Sequence, residues 1–224
     1  MIRAKRLPAS FDWNYDRVEL IADGAVHTVG VVLGLIGAIA IVVMAAQSAA
    51  AAKIPSVVIY AVGLLAMLGL SAAYNMWPIS RVKWILQRFD HSAIYIMIAG
   101  TYTPFVGQLK DSVASVGLLV GVWATAIFGV ALKLLMPGRF NRLAIVLYLF
   151  LGWSCAAAYG PITAALPPAC LGLLAAGGVL YSTGVVFHLW RNLRFHNAIW
   201  HGFVLVAACC HYTAVLQSGV FVRT

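Results

Sequence analysis

The stretch RFDHSAIYIMIAGTYTPF, residues 88–105, decides the fold because it combines ionisable residues with a long apolar run. Asp90 and His91 precede the run, and the segment from Gly100 to Pro104 interrupts its far end. A solvent-exposed loop would account for the polar residues but not for the isoleucines between them. A membrane-spanning helix with polar side chains facing a bundle interior accounts for both. Because proline removes a backbone donor, the sequence also predicts a kink in the middle of this span, with Gly100 admitting a close neighbour.

Composition indicates an integral membrane protein, and we expect it in the plasma (inner) membrane. Of the 224 residues, 63% are hydrophobic and 9% are charged, and the mean hydropathy is +0.94, whereas about a quarter of the residues in soluble domains are charged. The net charge of +9 would suit nucleic acid only if basic residues shared a water-exposed face. Here they separate apolar runs, so no nucleic-acid partner is expected.

Apolar runs of about 20 residues predict spanning helices, and we predict an all-α bundle of seven. The predicted spans are 25–46, 54–76, 90–108, 112–135, 142–159, 167–190 and 198–217. Residues 1–24 are expected to form a cytosolic N-terminal arm, and residues 25–224 a single membrane domain. No linker is long enough to divide that domain further.

The distribution of basic residues predicts the orientation, because Lys and Arg concentrate in cytoplasmic loops. With seven spans, all of the 15 Lys and Arg residues except Lys53, Lys110 and Arg223 fall on the side of the N-terminus. The N-terminus is therefore predicted inside and the C-terminus outside.

Polar side chains from four predicted spans fall at one depth near the cytoplasmic side. Spacings of four residues place successive members on a common helix face. The set comprises Glu19, Asp23 and His27; Ser71 and Asn75; Asp90 and His91; and Asn197 and His201. Because ionisable residues within spans usually face the bundle interior, we expect one polar pocket. His188, Arg191 and His196 are expected at the membrane interface instead.

Several segments carry a resemblance to a known family. DHSAIYIMIAGTYTPF, SAAYN and NAIWHGFVLVAA resemble signature segments of the hemolysin III family, the bacterial branch of the progestin and adipoQ receptor superfamily. ELIADGAVHTVG is similar to that family's opening segment, so the resemblance runs from residue 19 to about residue 215. It implies seven helices with an inside N-terminus. It also implies, for parts of the superfamily, a zinc site and lipid-amide hydrolysis that use a Ser-xxx-His pair, an Asp and a His-xxx-His pair.

Matching this pattern residue by residue retains Ser71, Asp90 and His201, which are the candidate catalytic residues. Asn75 and Asn197 stand where two histidines are expected. An amide is a weak ligand for zinc, which takes imidazole, thiolate or carboxylate. We therefore expect no zinc cofactor, and Asp90 and His201 are the ligands that would remain if a metal were bound.

Three functions remain open on the sequence. The loss of imidazoles favours a degenerate site in a protein of membrane lipid sensing or homeostasis, with a membrane lipid as its partner. The alternative is a membrane-embedded hydrolase of lipid amides or esters, with His201 as general base. A cytolytic pore or a proton path is the weakest reading, because spans one, four and five carry few polar groups towards the outer side. The sequence leaves the oligomeric state open.

Overall fold

The structure is a computed structural model that describes residues 15–48, 53–110, 112–137 and 139–218. Every regular element in these ranges is helical, as the sequence predicts. The elements are α1 (Arg17–Gln47), α2 (Ile54–Met76), α3 (Arg81–Val106), α4 (Ser112–Leu135), α5 (Asn141–Trp153), a 3₁₀ segment (Ser154–Ala158), α6 (Tyr159–Ala165), α7 (Pro168–Leu189) and α8 (His196–Gln217).

Six helical stretches are long and apolar enough to cross a membrane, which supports an integral membrane protein. They are α1, α2, α4, the continuous run from α5 to α6, α7 and α8. The remaining predicted span, 90–108, overlaps α3 as far as Val106, and the 26 residues of α3 cover about 39 Å at 1.5 Å per residue. Because α3 begins at Arg81, Asp90 lies inside the helix and not at its start.

The helices close into a ring. α1 packs against α2 and α8, and the neighbours α2, α3, α4, α5, α7 and α8 follow one another around the bundle. Ile41, Val57 and Tyr60 are fully buried between them. Large apolar side chains such as Ile36 and Phe150 remain exposed on the outside, which suits lipid tails that are as apolar as the side chains themselves.

The start of α1 is defined by a capping box. The Asp16 carboxylate accepts from the backbone N–H groups of Val18 and Glu19, both at 2.8 Å, and Glu19 accepts from the Asp16 N–H at 2.9 Å. The Glu19 N–H in particular holds the pKa of Asp16 below its usual range. The 31 residues of α1 span about 46 Å, which exceeds the apolar core of a bilayer, about 30 Å.

Two features shape α3. A Cβ on Gly100 would lie 3.3 Å from the Ile59 carbonyl oxygen, so the expected close approach of a neighbouring helix is confirmed. Pro104, however, lies in the last turn, since α3 ends at Val106, and the predicted position in the middle of a span is wrong. The reason is that α3 extends well to the N-terminal side of the apolar run and stops directly after the proline.

The first prediction concerns orientation. The contacts of Tyr15 with His196 and of Arg88 with the Leu134 carbonyl place the connections that carry most of the Lys and Arg residues at one end of the bundle. Connections rich in Lys and Arg stay in the cytoplasm. In a background with the four cysteines replaced, we expect Lys53→Cys to react with a membrane-impermeant maleimide in intact cells. Arg139→Cys should react only after the membrane is opened. Labelling of both positions from the same side would contradict this orientation.

Candidate functional site

A cavity of about 380 Å³ opens among α1, α2, α3, α4, α5, α7 and α8, near the end of the bundle where α1 and α8 begin. Most of the residues predicted for the site line it. They are His27, Ser71, Asn75, Asp90, His91, Asn197 and His201. Asp23 lies behind this wall, 3% exposed, and Glu19 lies closer to the start of α1.

Asp23 is the centre of a hydrogen-bond network. One carboxylate oxygen lies 2.6 Å from His201 Nδ1, and the other accepts from Asn197 Nδ2 at 2.8 Å. His27, one turn further along α1, brings Nε2 to 3.6 Å from the same second oxygen. The rings of His27 and His201 are 4.3 Å apart between centroids. The network thus joins the first turns of α1 to the first turns of α8.

The two asparagines extend the network to α2. Asn197 Nδ2 also donates to Asn75 Oδ1 at 3.1 Å, and Asn75 Nδ2 donates to the Ser71 carbonyl at 2.9 Å. Both amide nitrogens therefore act as donors, and the Asn75 oxygen is already used as an acceptor. The ligand set that the resemblance implies does not fit zinc in this chain, because no imidazole stands at either position.

Asp90 takes no part in the network among the described residues. Its carboxylate lies on the cavity wall, 4.0 Å from His91 Nδ1, and that nitrogen contacts the Gln87 carbonyl oxygen. The structure therefore pairs His201 with Asp23 and not with Asp90. The cause is helix packing, because α8 lies against α1, which carries Asp23, and has few contacts with α3, which carries Asp90.

Glu19 connects the start of α1 to the junction between α7 and α8. Its Oε1 accepts from the Phe195 N–H at 3.0 Å, next to the contact of Tyr15 Oη with His196 Nε2 at 3.2 Å. Arg194 donates to Asp16 at 3.2 Å. Glu19 therefore has a structural contact of its own and does not line the cavity.

Sequence reasoning missed several residues of the cavity wall. His188, Arg191 and His196, expected at the interface, line the cavity, and so do Tyr15, Tyr74 and Tyr148. A signal was present for His188, since it falls in the last turn of an apolar helix on the side where the other polar groups gather. The tyrosines gave none: Tyr15 and Tyr74 lie near helix ends, where tyrosine is common at any membrane interface, and Tyr148 lies within the apolar run of α5.

The network should contribute measurably to stability. Asn197→Ala removes the donor to Asp23 and leaves Asn75 Oδ1 without its partner, and unsatisfied buried groups cost about 1–3 kcal/mol. We expect a loss of that size in detergent unfolding titrations. Thr213→Ala, also on α8, removes an exposed hydroxyl bonded only to its own helix and should change stability by less than about 0.5 kcal/mol. Equal effects of the two substitutions would argue against the network.

Comparison with known proteins shows the family of this chain. Residues 19–212 match the family model described as Haemolysin-III related. The chain is 39% identical to a Hemolysin-3 homolog of Bacillus subtilis (strain 168), over 88% of this chain and 93% of that protein. It is 33% identical to Hemolysin-3 of Bacillus cereus, over 88% and 90%. Monocyte to macrophage differentiation factor of Homo sapiens is 29% identical, over 70% and 67%. The chain therefore belongs to the hemolysin III family of integral membrane proteins.

Proposed function

We propose that this protein binds a membrane lipid in the cavity and acts in membrane lipid sensing or homeostasis. The observation that carries the proposal is the mixed character of the cavity wall. Apolar side chains such as Met67, Leu68, Ile94, Val204 and Leu205 line the cavity together with polar members of the network such as Asn75, Asn197 and His201. The volume of about 380 Å³ falls within the range of sites for small molecules, about 300–1,000 Å³.

The charges on the wall support a lipid with an anionic headgroup. Among the described residues that line the cavity, four carry a cationic side chain, namely Arg88, Lys133, Arg142 and Arg191, and one, Asp90, carries a carboxylate. Guanidinium groups bind phosphate oxygens in a bidentate way. A phosphate-bearing headgroup would therefore lie near the cytoplasmic end, and an acyl chain would contact Leu68 and Leu205.

Filling the apolar part of the cavity tests lipid binding. Leu205 lines the cavity, and the next residue, Val206, is 53% exposed on the outer surface of the bundle. We expect Leu205→Trp to displace co-purified phospholipid, because the larger ring occupies the space for an acyl chain. Val206→Trp should retain it. Native mass spectrometry of protein released from nanodiscs measures the phospholipid bound to each variant. Equal lipid occupancy in the two variants would exclude this cavity as the binding site.

Hydrolysis of a lipid amide or ester is a second candidate, favoured by one contact. Asp23 holds the Nδ1 edge of His201 at 2.6 Å, and His201 lines the cavity. A carboxylate on one ring nitrogen orients an imidazole so that the other can take a proton from a water nucleophile. The water oxygen would bond to the acyl carbon, and the amine or alcohol would leave with a proton.

Fatty-acid release from vesicles that contain ceramide and phosphatidylglycerol tests the second candidate. If His201 is the base, His201→Gln should lower the rate by about 10²-fold or more. His211→Gln is the matched control, because His211 lies on the same helix and contacts the Leu174 carbonyl. Wild-type protein that releases no fatty acid above protein-free vesicles would remove the hydrolase and leave lipid binding as the function.

A further inference from the structure

Three side chains at the start of α1 and α8 offer metal-ligand atoms at one point. A carboxylate oxygen of Asp23 and one ring nitrogen each of His27 and His201 all lie within 4.8 Å of one another. Asp23 and His27 are 3% and 7% exposed, and the His201 side chain is 11% exposed. Two imidazoles with one carboxylate form a ligand set typical of zinc.

A separate observation indicates that the cluster is built for a ligand. His27 Nε2 is buried and has no hydrogen-bond partner among the described residues, although it is directed at Asp23 with 3.6 Å between the atoms. A buried polar nitrogen without a partner costs free energy. Coordination of a cation by this nitrogen and the Asp23 carboxylate would remove that cost.

We propose that Asp23, His27 and His201 bind a divalent transition metal, with Zn²⁺ as the fitting ion. Ligands that are about 2.0–2.1 Å from a tetrahedral zinc lie roughly 3.3 Å from one another. His27 Nε2 lies 3.6 Å from Asp23 Oδ2, a distance that needs only a small contraction. His201 Nδ1 lies 2.6 Å from the other oxygen, Oδ1, so this nitrogen must exchange its hydrogen bond for a bond to the ion.

The surroundings support the three ligands. Asn197 donates to the Asp23 carboxylate at 2.8 Å and is itself linked to Asn75, and such outer contacts orient metal ligands. His27 and His201 also line the cavity, so the fourth position of a tetrahedral ion would face it. A water molecule or a headgroup oxygen could fill that position.

This site differs from the one that the family resemblance implies. Of the residues that match the family pattern only His201 takes part, while Asp23 and His27 come from the first helix. A metal-free protein was expected because only the positions that match the family pattern were considered, and Asn75 and Asn197 at these positions are poor zinc ligands. Metal binding here does not depend on lipid binding, because all three ligands belong to the protein.

The test uses the full-length protein in detergent and zinc alone as the probe. Protein stripped with a chelator, then incubated with ZnSO₄ and desalted, should hold about one zinc per chain by elemental analysis, as a single site requires. Its melting temperature should rise with zinc concentration, because an ion that binds only the folded state stabilises it. Asp23→Asn and His27→Gln should each lose the zinc and the rise in melting temperature.

His188→Gln is the matched control, because it removes a cavity-lining imidazole outside the cluster and should keep both effects. Should the Asp23 and His27 variants fail to fold, the visible absorption spectrum of the wild-type protein with added Co²⁺ tests the site. Visible absorption of a tetrahedral ion without a thiolate charge-transfer band supports the site. Wild-type protein that takes up no zinc, zinc retained by both variants, or a thiolate band from cysteine ligation would each overturn the proposal.

Discussion

The rest of the site depends on the burial of one carboxylate. Asp23 is 3% exposed, and a buried charge is tolerated only when it is paired and hydrogen-bonded. Its partners His201 and Asn197 come from α8, and His27 comes from the next turn of α1. Because Asn197 also contacts Asn75, satisfying this carboxylate places α1, α2 and α8 at one relative depth and rotation. The polar wall of the cavity follows from that placement.

A second set of contacts keeps the start of α1 against the junction that precedes α8. Phe195 adopts a left-handed backbone with φ of 61°, which is unfavourable for a non-glycine residue. Its N–H donates to Glu19, and the neighbouring Arg194 and His196 contact Asp16 and Tyr15. Glu19 and Asp23, one turn apart, thus have different roles. Glu19 holds the junction between α7 and α8, and Asp23 orients the imidazole of His201.

The family pattern and the structure lead to different ligand sets for the same pocket. Matching positions one by one leaves two asparagines where imidazoles are expected, and the pocket then reads as a degenerate metal site. In three dimensions the first helix supplies a carboxylate and an imidazole beside His201. The ligands of the pattern and those of the cluster share His201 only. In the proposed metal site, Asp23 and His27 of the first helix would take the place of the imidazoles that are missing at those two positions.

Sequence alone determined the all-helical class, the membrane location, the family and part of the polar lining of the cavity, because hydropathy, motifs and residue spacing are local properties of the chain. It did not determine which carboxylate meets His201. Each residue turns a helix by about 100°, so the faces that meet depend on where helices start and how they rotate in the bundle. α3 starts at Arg81 and directs Asp90 to the cavity wall, whereas the packing of α1 against α8 brings Asp23 to His201. Only the tertiary structure decides that pairing, since it joins residues 178 positions apart.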